Sequence, residues 1–172
     1  MPEALATIAP VAGLGMITIR ANLSRAGDAI AEASGLPIPE ATRITTDGSR
    51  SLGWMSPDEL LLLLPAAETA EALTALTNAL AGEHALVADV SDLRAVFDVT
   101  GPKVQQVLQK LSPTDFAAFP KDGLRRTRAA QVAVAFWRQG KGFRVIGMRS
   151  TGDYLRLILE NATIPGSDLE PR

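Results

Sequence analysis

The sequence contains no cysteine and only one histidine, His84, among its 172 residues. Without thiols the chain can form no disulfide, no thiolate metal site and no cysteine nucleophile. A single histidine cannot make a metal site, and no carboxylate or hydroxyl is placed to turn it into a general base. Asp89 and Asp92 lie three residues apart and are interpreted as turn caps. We therefore predict no catalytic and no metal-binding residue.

An excess of one charge is also lacking, since the chain has 17 basic and 19 acidic side chains. This balance gives no electrostatic reason to expect a nucleic-acid partner. The longest aliphatic run, Leu60–Leu64, is far shorter than the roughly 20 residues that span a bilayer. The N-terminal stretch has no Lys or Arg before Arg20 and is interrupted by Pro10. We therefore expect no secretory signal, no membrane contact and a cytoplasmic protein.

The glycines do not form a phosphate-binding loop. Gly13 and Gly15 precede a predicted strand instead of opening a helix, and the third glycine of a dinucleotide fingerprint is missing. Gly140 and Gly142 are explained as residues of a hairpin turn that requires positive φ. No cofactor-binding residue is predicted.

The first half of the chain has the order βαββαβ, which is the ferredoxin-like order. Ser24 is a candidate N-cap, and Gly35 is placed to end the helix. The predicted elements are a strand (Leu14–Arg20), a helix (Ser24–Ala33), a hairpin (Ser51–Met55 and Leu60–Leu64), a second helix (Glu68–Ala81) and a strand (Ala85–Val90).

The second half repeats this plan. A strand over Arg94–Val99 leads into a helix for which Thr100 is the candidate cap, and a hairpin follows over Gln131–Arg138 and Phe143–Met148. A last helix is expected to begin with Ser150 and Asp153 as a capping box and to turn Tyr154, Leu157 and Ile158 inward.

Two spacings indicate an internal duplication. Trp54 and Trp137 lie at matching places in the two hairpins, 83 residues apart, and Ile17 matches Val96 at a separation of 79 residues. A chance alignment of two α+β segments is the alternative. We predict an α+β fold of two pseudo-repeated, ferredoxin-like units of antiparallel sheet with helices. The expected boundaries are one compact domain over residues 1–162, half-units of about 14–90 and 91–162, and a flexible tail over 163–172.

One charge cluster is notable, KDGLRRTR at Lys121–Arg128. If Leu124–Arg128 is extended, Arg126 and Arg128 share one face, and Arg125 shares the other with Thr127. The cluster is either a solvated edge strand whose charges prevent unwanted pairing or a surface that docks an acidic partner.

Phe116 and Phe119 precede the cluster and offer apolar anchors to such a partner. The candidate partner interface therefore consists of Phe116, Phe119, Arg125, Arg126 and Arg128. An exposed apolar patch rimmed by charge would also let the isolated chain self-associate.

Two segments carry a family resemblance that extends from about Leu14 to Asn161. LGWMSPDELLLLLP (Leu52–Pro65) resembles a hairpin of the sarcosine oxidase gamma subunits and of the related aminomethyltransferase (glycine-cleavage T protein) folate-binding family. DVSDLRAVFDVTGPKVQQVLQKL (Asp89–Leu111) resembles the strand and helix of the same superfamily. The aminomethyltransferases carry a catalytic aspartate in a strand whose counterpart here, Ala129–Trp137, has no carboxylate.

The resemblance implies a small, non-catalytic gamma subunit of heterotetrameric sarcosine oxidase. Such a complex oxidises sarcosine to glycine, releases hydrogen peroxide and passes the one-carbon unit to tetrahydrofolate as methylene-tetrahydrofolate. FAD, FMN, NAD and tetrahydrofolate would be held by other subunits and none by this chain. The implied partners are the large (alpha) subunit, on whose folate-binding part the chain would pack, and the other subunits.

Two alternatives remain open. One is a stand-alone folate-binding one-carbon transferase or accessory protein, and the other is an interaction module unrelated to amine oxidation.

Overall fold

The computed structural model describes residues 3–169, which form two compact units. The continuous unit is Gly13–Asp92, and the split unit combines the chain up to Ala12 with the chain from Leu93 onwards. Each unit contains one five-stranded antiparallel sheet and two helices within the described residues. The predicted α+β class with antiparallel sheets is confirmed.

In chain order the strands are β1 (Thr7–Pro10), β2 (Leu14–Arg20), β3 (Ile44–Asp47), β4 (Arg50–Ser56), β5 (Glu59–Pro65), β6 (Leu86–Asp89), β7 (Arg94–Thr100), β8 (Leu124–Ala129), β9 (Val132–Gln139) and β10 (Gly142–Met148). The helices are α1 (Leu23–Ser34), α2 (Thr69–Ala79), α3 (Val104–Gln109) and α4 (Gly152–Ala162). Short 3₁₀ turns cover Ala66–Glu68, Ser91–Leu93 and Arg149–Thr151.

The two sheets have the same strand order. It is β3-β4-β5-β2-β6 in the continuous unit and β8-β9-β10-β7-β1 in the split unit. In each sheet four strands have the ferredoxin-like arrangement, and a fifth strand, β3 or β8, extends the hairpin side. The strand after α2 is β6, whereas after α4 the equivalent place is filled by β1 from the start of the chain. The internal repeat is therefore confirmed. The one difference is that the edge strand beside β7 comes from before its unit's other strands in the chain, whereas the edge strand beside β2 comes after them.

The two tryptophans lie on equivalent strands but on opposite faces of their sheets. Trp54 packs with the helices of its unit, whereas in β9 it is Phe136, the neighbour of Trp137, that belongs to the helix-side core. Leu52 is joined through the strand ladder to Ile17 of β2, and Phe136 is joined in the same way to Phe97 of β7, both on the helix side. Leu52 is therefore the counterpart of Phe136, a separation of 84 residues. Because neighbouring strand residues point to opposite faces, the one-residue difference from the predicted 83 reverses the side.

Each unit has its own helix-side core. In the continuous unit Ile30 of α1 and Leu76 of α2 pack onto Ile17 and Leu62. In the split unit Val107 of α3 and Leu159 of α4 pack with Val99 and Phe143. All five leucines of Leu60–Leu64 are at most 3% exposed, so β5 is buried on both faces, as its unbroken aliphatic run predicts.

The N-cap of helix α1 lies two residues earlier than predicted. Asn22 is the N-cap, and its Oδ1 accepts hydrogen bonds from Ser24 N at 3.1 Å and from Ser24 Oγ at 2.6 Å. The predicted cap, Ser24, therefore lies within the first turn. Gly35 ends the helix with φ 73°, in the left-handed region that glycine favours.

The predicted start and inward face of α4 are wrong. Neither Ser150 nor Asp153 forms a capping box, because the 3₁₀ turn Arg149–Thr151 leads directly into the helix at Gly152. A Cβ at Gly152 would lie 2.9 Å from Ala95 Cβ, so the first helical residue packs closely on β7. Leu155, Leu159 and Ala162 follow Gly152 at helical spacing on the same face, and all three are buried.

The outward face of α4 carries large apolar side chains for which the sequence pattern predicts burial. Tyr154 is 40% exposed and Leu157 is 55% exposed, while Ile158 is partly buried against the core.

The described residues after α4 fold back onto α3. Lys110 Nζ donates to Ala162 O at 2.8 Å and to Ser167 Oγ at 2.7 Å, and Lys103 forms an ion pair with Asp168. Of the tail predicted to be flexible, residues 170–172 lie outside the described residues. Within residues 3–169 no helix is both long and apolar enough to cross a membrane.

Candidate interaction site

The predicted charge cluster forms an edge strand. β8 pairs with β9 and ends the sheet of the split unit on that side. Arg126 and Arg128 lie opposite Ala135 and Ala133, whereas Arg125 lies opposite the core residue Phe136. The three arginines are exposed, with Arg125 on the helix side of the sheet and the other two on the opposite side.

Phe116 and Phe119 do not lie on the surface as apolar anchors, because their side chains are only 0% and 6% exposed. They form an aromatic cluster with Phe136 and Phe143, in which ring centroids are 5.3 to 6.2 Å apart. Stacked and edge-on rings at such distances stabilise a core beyond the area they bury. The structure therefore separates the two phenylalanines from the three arginines in role: the rings fix the loop, and the guanidinium groups remain accessible.

Two polar residues hold this loop in place, and neither was among the predicted site residues. Asp115 Oδ1 accepts hydrogen bonds from Ala117 N at 3.0 Å and Ala118 N at 3.3 Å. Arg138 Nη2 donates to Phe119 O at 3.2 Å, and its guanidinium carbon lies 5.1 Å from the ring centroid of Phe143. Asp115 could have been found from its turn-forming context, SPTD, whereas nothing in the sequence distinguishes Arg138 from other strand arginines.

A groove of about 430 Å³ lies between the loop and β8. Its loop wall contains Pro113, Ala118 and Pro120, and its strand wall contains Arg125, Arg126 and Thr127. Three consecutive strand residues point alternately to the two faces, so a cavity that touches all three runs along the edge of the sheet.

A second cleft, of about 790 Å³, lies in the continuous unit beside the start of α1. Its acidic residues are paired, Arg20 with Asp58 and Arg25 with Glu83, each at 3.1 Å. The Ser56 hydroxyl, which donates to Asp58 Oδ1 at 2.7 Å, and then the Arg20 guanidinium hold the pKa of Asp58 below its usual value.

The other residues considered from the sequence do not line the groove beside β8. His84 is exposed at the rim of the second cleft. Asp89 Oδ1 accepts from Ser91 N at 2.9 Å and from Ser91 Oγ at 2.5 Å, which is the capping role expected for it. Gly15 lies in β2, where a Cβ would meet Thr69 Oγ1 at 2.0 Å. Among residues 3–169 no group of three His, Asp or Glu side chains could hold a metal ion.

Comparison with solved structures relates the fold to two proteins. A chain of heterotetrameric sarcosine oxidase from Corynebacterium sp. U-96, in complex with pyrrole 2-carboxylate, matches 97% of this chain and 88% of its own length at 29% identity, with a TM-score of 0.87. Glycine cleavage system aminomethyltransferase T from Bartonella henselae matches 92% of this chain and 46% of its own length at 14% identity, with a TM-score of 0.69, a likeness of fold.

Sequence comparison identifies the family. The sarcosine oxidase subunit gamma of Corynebacterium sp. (strain P-1) is 35% identical over 118 residues, which are 66% of this chain but only 57% of that relative's length. The model of the family described as "Sarcosine oxidase, gamma subunit family" matches residues 21–164. Because this match spans most of both units, the chain belongs to the sarcosine oxidase gamma subunit family.

Proposed function

We propose that this chain is the small gamma subunit of a heterotetrameric sarcosine oxidase and supplies no reacting group to the chemistry. The observation that carries the proposal is the match of nearly the whole chain to a chain of the heterotetrameric enzyme. In this complex sarcosine is oxidised to glycine, oxygen is reduced to hydrogen peroxide, and the one-carbon unit passes to tetrahydrofolate. We place the complex in the cytoplasm.

The non-catalytic role is supported by how the polar candidates are used. The sequence has no cysteine, and its one histidine is exposed beside two ion pairs. The Asp89 carboxylate caps a turn, and β9 brings no carboxylate to the position expected from the aminomethyltransferases. FAD, FMN, NAD and tetrahydrofolate accordingly belong to the other subunits in this proposal.

The partner surface is proposed to lie in the split unit, at Arg125, Arg126 and Arg128, with the folate-binding part of the large subunit as the region contacted. Phe116 and Phe119 contribute by fixing the adjacent loop. A guanidinium can pair with both oxygens of a carboxylate and is more weakly hydrated than an ammonium group, which suits it to an interface rim.

The proposal is tested by comparing the purified chain with the complex obtained by co-expression with the larger sarcosine oxidase subunits of the same organism. We expect the isolated chain to be colourless and to release no peroxide from sarcosine, while the complex shows a flavin spectrum and releases peroxide. A flavin bound to the isolated chain, or turnover by it, would contradict the non-catalytic role. Tight tetrahydrofolate binding by the isolated chain in calorimetry would instead favour the folate-binding alternative.

A further inference from the structure

The edge of β8 differs from its counterpart in the other unit in charge and in how its adjoining loop is held. Strand pairing makes Thr45 and Thr46 of β3 the counterparts of Arg125 and Arg126. Thr45 Oγ1 donates to Pro37 O at 2.8 Å, which ties β3 to the loop before it. In the split unit the corresponding loop is held to the aromatic core by Arg138, and the groove of about 430 Å³ lies between it and β8.

The loop and strand that border the groove are locally cationic in a chain of net negative charge. The segment from Pro113 to Arg128 carries four basic and two acidic side chains, whereas the whole chain has a net charge of −2. One of the acids, Asp115, already accepts two backbone hydrogen bonds in its own loop. Charge complementarity therefore favours an acidic occupant.

The backbone of β8 favours an extended occupant. An edge strand presents every second N–H and C=O outward, and an added strand can pair with them while its alternate side chains enter adjoining pockets. The groove follows this edge for the three residues Arg125, Arg126 and Thr127, and its opposite wall includes Pro113, Asp115, Ala118 and Pro120.

We propose that an acidic, extended segment of a larger subunit adds to the edge of β8 and lies in this groove, with its carboxylates on Arg125 and Arg126 in the groove and on Arg128 further along the same strand. The identity of the partner rests on the proposed function. The groove itself is a feature of this chain.

The test uses the co-expressed complex and the full chain. Hydrogen–deuterium exchange is measured on the amides of β8 in the isolated chain and in the complex, and we expect exchange to slow at least tenfold in the complex. The triple variant R125E, R126E, R128E should lower the affinity for the larger subunits at least tenfold. In the wild type this affinity should fall as the salt concentration rises, and in the variant this fall should be absent. The matched control T45E, T46E, on the equivalent strand β3, should leave affinity within twofold. Circular dichroism checks that both variants are folded.

Each outcome decides between interpretations. If the wild-type chain does not assemble with the larger subunits, the proposed function and the docking site fail together. If it assembles while β8 exchanges equally fast in both states, or the charge reversal acts no more strongly than the β3 control, the groove proposal alone is overturned. Slow exchange of β8 that appears on concentrating the isolated chain would assign the edge to a second copy of this chain and would also overturn it.

Discussion

At the scale of single residues, Gly142 shows how closely two strands approach. The sequence predicts a turn residue with positive φ at this position, but Gly142 is the first residue of β10. Gly140 is the residue of this turn with positive φ, at 55°. A Cβ at Gly142 would lie 2.1 Å from Val99 O, which belongs to the paired strand β7. The residue is therefore required for close backbone approach.

We expect Gly142→Ala to lower the free energy of unfolding by about 1 to 3 kcal/mol or more, because the backbone of β7 must shift to admit a methyl group. Denaturant unfolding measures the change. Gly82→Ala is the control, since a Cβ there meets nothing within 4 Å, and its effect should stay within about 0.5 kcal/mol. Equal midpoints for the two variants would contradict this account of the β7–β10 pair.

At the scale of elements, α4 provides a direct test of which face is buried. Leu159 is 0% exposed and Leu157 is 55% exposed on the same helix. We expect Leu159→Ala to cost about 2 to 5 kcal/mol through lost burial and a cavity, and Leu157→Ala to stay within about 0.5 kcal/mol. Both are read from chemical denaturation. If Leu157→Ala were the more destabilising, the helix would have the face predicted from the sequence.

The segment after α4 should respond to acid. The hydrogen bond from Lys103 holds the pKa of Asp168 below its usual value, about 3.9 in unfolded chains. Because the folded-state pKa is lowered, the contact stabilises the docked segment fully at pH values above the pKa of the unfolded chain. This stabilisation is lost as the pH falls through the lowered pKa of the folded state.

The amide of Leu169 reports on this contact, because it donates to Gln106 Oε1 at 3.2 Å. Its protection from hydrogen exchange, corrected for the intrinsic rate, should be higher at pH 6 than at pH 3. Asp168→Asn should reduce the protection at pH 6 and remove the pH dependence. A protection factor that is the same at both pH values in the wild type would show that the ion pair does not hold the segment.

Elements with strong local signals were predicted from the sequence, and those that depend on distant partners were not. The β-branched and aliphatic runs of β2 and β5 mark strands by themselves, and Gly140 marks the second hairpin. β1 is only four residues long and contains Pro10, and it is ordered by pairing with β7, about 90 residues away. Such a strand has no local pattern to reveal it, although an edge position tolerates its proline.

The positions of the candidate interface residues in the fold could be predicted only in part from the sequence. The alternation of Arg125, Arg126 and Arg128 in an extended strand follows from period two alone. The burial of Phe116 and Phe119 depends on Phe136 and Phe143, which come later in the chain and meet the loop only in the folded split unit. An apolar residue in a polar segment is compatible with either a surface anchor or a core contact until its tertiary partners are known.

At the scale of the whole molecule, the two units share one strand order but are closed differently. The continuous unit takes its last strand, β6, from its own sequence, whereas the split unit takes β1 from the start of the chain. The helix-side cores differ as well. The core of the split unit contains a cluster of four phenylalanine rings, whereas leucines dominate the core of the continuous unit. The two units therefore share a strand order while differing in connectivity and in core composition.

Native mass spectrometry of the complex co-expressed with the larger sarcosine oxidase subunits tests whether this chain is one of the subunits of the assembly. We expect an assembly whose mass includes this chain, with bound flavin retained by the other subunits after the chain is released in the gas phase. A sarcosine-oxidising complex of the larger subunits that lacks this chain, with the folded chain free in the same sample, would contradict its role as a subunit.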